Sequence, residues 1–363
     1  KSLASNSTDA EDTRATGLTA FDSDGFSLGS DSNANAGSGS TYTSWNWKAG
    51  GTSPEITYNV KVVSDSGNKY RFDDFGTSAV TLDLQEGGTY TFDQSDSSNS
   101  GHPLRFYTAS DKSGGEYTTG VTTNGTPGSS GAYTRITVAA SAPTLYYQCS
   151  AHAGMGGQAN TNLLFGSSNF SGTAQSTVSV NTTAGFSIVK WTGTGSAVTI
   201  GHGLGAKPEI IIVKRLDSSS WTVYTDLIDA SMDYLRLDTT AAKGDSSNPV
   251  PTNSVFQKND TSSTTVIAYC FIPKIGFSKF GKYSGNANAD GPFVYTGFKP
   301  SFVMIKKTNN TANWVIQDNK RPSTNPNNKW LYSNEPDAEY DASLYPMDLL
   351  SNGFKIKHGN GNY

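Results

Sequence analysis

Four residues in this chain carry donor atoms suited to a soft metal, and their spacing is regular. Cys149, His152 and Met155 follow one another at intervals of three in Tyr146-Tyr147-Gln148-Cys149-Ser150-Ala151-His152-Ala153-Gly154-Met155-Gly156-Gly157. A strand running into a loop can aim a thiolate, an imidazole and a thioether from such a stretch at one centre. A second imidazole, His102 in Ser100-Gly101-His102-Pro103-Leu104, stands 47 positions before the cysteine. Two imidazoles, one thiolate and a weak axial thioether make the ligand set of a mononuclear type 1 copper site. A dinuclear copper site would need a second cysteine nearby, and Cys270 lies far along the chain. The plain alternative is that Cys149 is a small buried hydrophobe and the histidines are packed or solvated side chains.

The elements that must position these residues read as short strands. Ile56–Val63, Lys69–Phe72, Val80–Leu84, Thr89–Phe92, Leu104–Tyr107, Tyr133–Val138 and Thr144–Cys149 are apolar or alternating runs between Gly, Ser and Asn turns, the pattern of a sandwich. Glu86-Gly87-Gly88 reads as a hairpin. Ser110–Gly131 is polar and glycine-rich and reads as a surface excursion. This stretch, residues 54–165, resembles the cupredoxin family, with Cys149, His152 and Met155 on the closing ligand loop and His102 as the upstream ligand. The resemblance implies a Greek-key β-sandwich binding one copper ion. Many cupredoxins carry Asn directly after the first histidine to tie the two ligand segments together. Here that residue is Pro103, so the surroundings of the ligands must differ.

Composition agrees with an all-β, loop-rich, extracellular type of chain. Of 363 residues only 16% are charged, and Tyr and Phe number 18 and 17. A net charge of −4 offers no basic patch for nucleic acid. No apolar run approaches the length of a membrane-spanning helix, so no membrane insertion is expected. Two cysteines 121 positions apart make no disulfide framework, and Cys270, within Val266–Ile272, reads as core.

Outside residues 54–165 the chain repeats itself. Gly185-Phe186-Ser187 returns as Gly276-Phe277-Ser278. Lys207-Pro208 and Lys299-Pro300 each launch an apolar strand ending in two basic residues, Lys214-Arg215 and Lys306-Lys307. Trp221 and Trp314 follow. The opening residues belong to the same module: Leu3 matches Leu331 and Phe26 matches Phe354, both 328 positions apart. Thr41–Trp47 alternates as a half-buried strand does and reads as the closing strand of its module, like Val266–Ile272. The expected order is residues 1–50 as the C-terminal part of a module, 54–165, a connector at 166–184, a full module at 185–275 and a truncated one at 276–363. That order reads as a slice of a longer protein.

These repeats resemble an uncharacterised domain family of tail-fibre-like and other structural proteins of marine bacteriophages, in which cupredoxin-like domains with a Cys-x-x-His-x-x-Met loop also occur. The phrases that carry the resemblance are Gly-Phe-Ser, Lys-Pro before the apolar strand, and Ala268-Tyr269-Cys270-Phe271 or Ser44-Trp45-Asn46-Trp47 near the module ends. It implies a non-enzymatic structural or adhesive appendage in the virion. The partners it implies are further copies of the chain, other virion proteins, and a host cell-surface glycan or protein. Two other readings stay open: an electron-transfer copper protein on a repeat scaffold, and a bacterial surface adhesin or filament subunit. His202, between Gly201 and Gly203, leads into a strand rather than the Lys-Ser/Thr and helix that a phosphate loop requires. His358 reads as a hairpin tip. Asp73/Asp74 and Asp226/Asp229 read as turn residues rather than a glycosidase pair. Trp191, Trp221, Trp314 and Trp330 read mostly as core, with sugar-stacking platforms as the alternative.

Overall fold

The computed structural model describes residues 1–22, 24–37, 39–50, 53–163, 166–322, 324–341 and 346–358. The proposed hairpin tip beyond His358 and the junctions at Gly51 and Phe165 lie wholly or partly outside them. The chain is nearly all β, in several sheets, with one short 3₁₀ turn at Ser97–Asn99 among the described residues.

Two compact units form, and they cut across the linear order of the modules. One comprises Lys48–Pro208 with Pro251–Ser263; the other comprises Lys1–Trp47, Glu209–Val250 and Thr264–Tyr363.

The first unit is built around two facing sheets. One has five strands in the order Asn68–Phe72, Glu55–Ser64, Thr89–Asp93, Tyr133–Thr137, Val121–Asn124. The other has four, in the order Leu82–Gln85, Gln158–Leu163, Leu145–Cys149, Leu104–Tyr107. Alternate residues of both sheets meet in one core, where Tyr58, Tyr70, Phe72, Tyr90, Phe92, Phe106 and Tyr147 are fully buried. Such rings bury much apolar area each, which makes up for the scarcity of aliphatic residues.

Several expectations change here. Glu86-Gly87-Gly88 makes a tight turn, with Gly88 N–H donating to the Gln85 carbonyl, but not a hairpin: Leu82–Gln85 and Thr89–Asp93 belong to opposite sheets. Leu82, Leu84, Tyr90 and Phe92 face one another across the core, and turn residues alone do not distinguish such an arch from a hairpin. The polar excursion contains an edge strand, Val121–Asn124, with a single apolar residue. Gln158–Leu163 is a strand without apolar alternation, because its fully buried residues are Ala159 and Thr161. The stretch expected as a connector holds Ser167–Asn169 and Ser176–Asn181, which pair with each other and then with Phe186–Thr192.

The second unit repeats one motif. Hairpin Ile210–Arg215/Thr222–Thr225 corresponds to Phe302–Ile305/Val315–Asp318, with Ile212 opposite Val223 in the first and Met304 opposite Ile316 in the second. Tyr234 pairs with Gly244, Trp330 with Tyr340, and Ser2 bridges Asp12. Phe21 pairs with Phe26 as Leu349 pairs with Phe354. Thr41–Trp47, expected as a strand, joins no ladder among the described residues. Instead Trp45 and Trp47 pack edge-on against Phe302, so ring contacts replace backbone pairing. Trp221, Trp314 and Trp330 are buried in this unit and Trp191 in the other, which places all four in cores.

Candidate metal centre

Cys149 ends the strand Leu145–Cys149, which runs antiparallel to Leu104–Tyr107 with Cys149 opposite Leu104. That register sets the cysteine beside His102, two residues ahead of the neighbouring strand. The chain then turns through Ser150–Gly154 and brings His152 back over the same sheet end. Cys149 Sγ lies 3.8 Å from His102 Nδ1 and 3.5 Å from His152 Nδ1. The two imidazole rings stand 4.6 Å apart between centroids. These three donor atoms all lie within 4.8 Å of one another. Met155 is buried in the same core cluster as Cys149. Burial, then the neighbouring His152, hold the His102 pKa below its ordinary value. Cys149 is sealed from solvent, His102 is half-buried and His152 is exposed.

Backbone bonds hold this geometry. The His102 carbonyl accepts from Tyr70 Oη and Gln94 Nε2, both at 2.9 Å. Ser150 N–H donates to the Pro103 carbonyl at 2.9 Å and joins the two ligand segments directly. This bond extends the pairing of Cys149 with Leu104 and needs no side chain at Pro103. Gly154 sits in the left-handed region at φ 69°, and a Cβ on Gly156 would come 1.6 Å from the Tyr147 carbonyl oxygen. The loop can therefore return to the sheet only with glycine at 156. Met155 is pinned by its carbonyl, which accepts from Tyr70 N–H at 2.8 Å.

Two lysines, neither singled out by the sequence reading, clamp the loop. Lys112 Nζ donates to the carbonyls of Cys149 and Ser150, both at 3.2 Å, and lies 3.5 Å from that of His152. Lys69 Nζ donates to the Gly154 carbonyl. Neither lysine stands next to a ligand in sequence, so no local pattern marks them.

Other candidates resolve as structure. His202 is fully buried; its Nδ1 accepts from Leu204 N–H at 3.2 Å and its Nε2 lies 3.3 Å from the Thr252 carbonyl. Asp73 accepts from the backbone and side chain of Asn59, and Asp74 pairs with Lys61. Asp229, Asp233 and Asp245 gather as a carboxylate trio, but Lys243 Nζ already sits among them at 2.8, 2.7 and 2.8 Å. Its bonds, first to Asp229, raise the lysine pKa, and it in turn holds the Asp229 carboxyl below the usual range.

No curated protein matches this chain, and no solved structure does. The family model described as a domain of unknown function (DUF7483) matches residues 1–89 and 160–363. All four candidate ligands therefore fall in the stretch between the two matched segments. The repeats, the hairpins and most of the strands lie within them, and by that match the chain belongs to the DUF7483 family.

Proposed function

We propose that this chain is a structural, fibre-like component of a bacteriophage virion that serves in attachment, and that its cupredoxin-like part holds one copper ion. The observation that carries the metal reading is the spacing of the three donors. Metal–nitrogen distances of about 2.0 Å and metal–sulfur distances of about 2.3 Å, at tetrahedral to trigonal angles, require nitrogen–sulfur separations of about 3.5–3.7 Å. The two separations here are 3.5 and 3.8 Å. Cys149 would supply the soft anionic donor, His102 and His152 the imidazoles, and Met155 the thioether. Bound copper would supply a one-electron centre. Lys112, Lys69 and the Ser150–Pro103 bond hold the ligand loop in place. In the scaffold, repeated modules and buried tryptophans support a structural role.

Copper loading of the purified protein tests the site. One copper per chain and an intense thiolate-to-copper absorption band are expected, with Cys149→Ser abolishing the band. Absence of stoichiometric metal, or a band that survives the substitution, would refute it. Antibodies against the chain are expected to decorate fibres on virus particles in electron micrographs; labelling of host cells alone would favour the adhesin reading. The exposure of His152 favours a second reading, electron transfer through that ring edge. It requires fast electron self-exchange between copper-loaded chains, measurable by NMR line broadening.

A further inference from the structure

Each of the two Lys-Pro hairpins captures a strand-like segment of another repeat, and both do so with the same four bonds. The first holds residues 1–11. Trp221 Nε1–H donates to the Ala4 carbonyl at 2.8 Å, while Ser219 N–H and Lys214 Nζ donate to the Thr8 carbonyl at 2.8 and 3.4 Å. In return, Glu11 N–H donates to the Leu216 carbonyl at 2.9 Å. The second hairpin holds residues 236–243. Trp314 Nε1–H donates to the Arg236 carbonyl at 2.7 Å, while Ala312 N–H and Lys306 Nζ donate to the Thr240 carbonyl at 2.9 and 3.2 Å. Lys243 N–H donates to the Thr308 carbonyl at 2.7 Å. Every captured group in the second set is 232 positions beyond its counterpart in the first.

The chain carries this captured segment a third time, at residues 329–339. The pairing that opens it, Trp330 with Tyr340, repeats the Ser2–Asp12 bridge 328 positions on. Tyr332, Pro336 and Glu339 then stand where Ala4, Thr8 and Glu11 stand in the first copy, and Asp337 stands where Asp9 does. Among the described residues nothing donates to the Pro336 carbonyl and nothing accepts from Glu339 N–H. Pro336 to Tyr340 are exposed. The first and third copies also touch, since Ser5 Oγ donates to the Ser333 carbonyl at 2.9 Å. The third edge is thus continuous with an occupied one. Among the described residues both hairpins of this type are already engaged.

We propose that residues 332–339 are a third docking edge, for the Lys-Pro hairpin of a further DUF7483-type repeat. The occupant is a two-stranded hairpin presenting a lysine and, seven or eight residues later, a tryptophan. Its paired basic residues suit the exposed carboxylate of Asp337, which stands where Asp9 does beside Lys214 in the first copy. The inference is independent of the copper reading.

A backbone-cyclised peptide of residues 208–224, shown to be a folded hairpin by its cross-strand NMR contacts, tests this against the full 363-residue chain. Saturable one-to-one binding is expected, with amide exchange at Glu339 slowed at least about tenfold. Trp221→Phe in the peptide should weaken binding about five- to tenfold, the value of one hydrogen bond. In the protein, Glu339→Pro removes the N–H and should weaken binding by at least about tenfold. Glu339→Gln keeps the N–H and should retain it, which separates this edge from the ion pairs of Glu339 with Arg321 and Lys329. No binding at millimolar peptide, no slowing at Glu339, or equal binding to Glu339→Pro would overturn the proposal. So would a chain that dimerises through residues 332–339 and shuts the peptide out, because a second copy would then be the occupant.

Discussion

Lys112 reaches three carbonyls of the ligand loop from an excursion that reads as featureless in the sequence. An ammonium bound to several backbone oxygens fixes the loop without touching a donor atom, so its loss should loosen the site rather than remove a ligand. Lys112→Met is expected to lower copper affinity about 10- to 100-fold, as changes around metal ligands typically do. Titration against a competing chelator measures it, and an unchanged affinity would remove Lys112 from the site. His202 makes a different prediction. Its burial depresses the folded-state pKa, so the unfolded chain takes up the proton first. Stability from the neutral ring is complete above about pH 6.5 and is lost as pH falls from there toward the folded pKa, by at most about 1.4 kcal/mol per pH unit. Denaturation of His202→Gln should accordingly be less sensitive to pH between about 7 and 5 than that of the parent chain.

Among elements, the hairpins carry the most specific chemistry. Lys214 is fully buried and satisfied by the carbonyls of Thr8, Asp217 and Ser219. Burial pushes its pKa down, and burial likewise brings its counterpart Lys306 down to about 8. A buried ammonium is costly unless its donors are met, so each hairpin is completed by the segment it captures. Trp221→Phe deletes the indole N–H and part of the buried ring, which should cost about 1 kcal/mol for the bond and more for the space left behind. Hydrogen exchange should then quicken more in residues 1–11, which lose the bond, than in 236–243, which share one core cluster with Trp221 and Trp314; Trp314→Phe should give the reverse order. Equal quickening of both segments by either substitution would mean that the hairpins do not act separately.

At the scale of the molecule, the candidate copper site belongs to one compact unit and the captured segments to the other. Metal that binds only the folded state stabilises by mass action, by about 2.7 kcal/mol at a hundredfold excess over Kd. Calorimetry should therefore show copper raising the transition of the unit containing residues 54–163 and leaving the other in place. A shift of both transitions by the same amount would show that the two units unfold together.

The spacing of Cys149, His152 and Met155, the upstream His102, and the 328-residue echo of the repeats were all legible in the sequence. Each is a matter of residue type and interval. Strands with strong alternation, such as Leu104–Tyr107 and Thr89–Asp93, were legible for the same reason. Gln158–Leu163 and Val121–Asn124 were not, because they are strands by virtue of their neighbours and show little apolar pattern of their own. Nor did Thr41–Trp47 declare that its tryptophans would pack on Phe302 without joining a ladder. Only the tertiary structure decided that the Gly87 turn is an arch between sheets, that Pro103 lends its carbonyl to Ser150, and that Lys112 and Lys69 close over the ligand loop. Those contacts join residues from about 40 to 85 positions apart through backbone carbonyls, which every residue type presents alike. Side-chain identity and periodicity hold no record of such partners; chain folding alone brings them together.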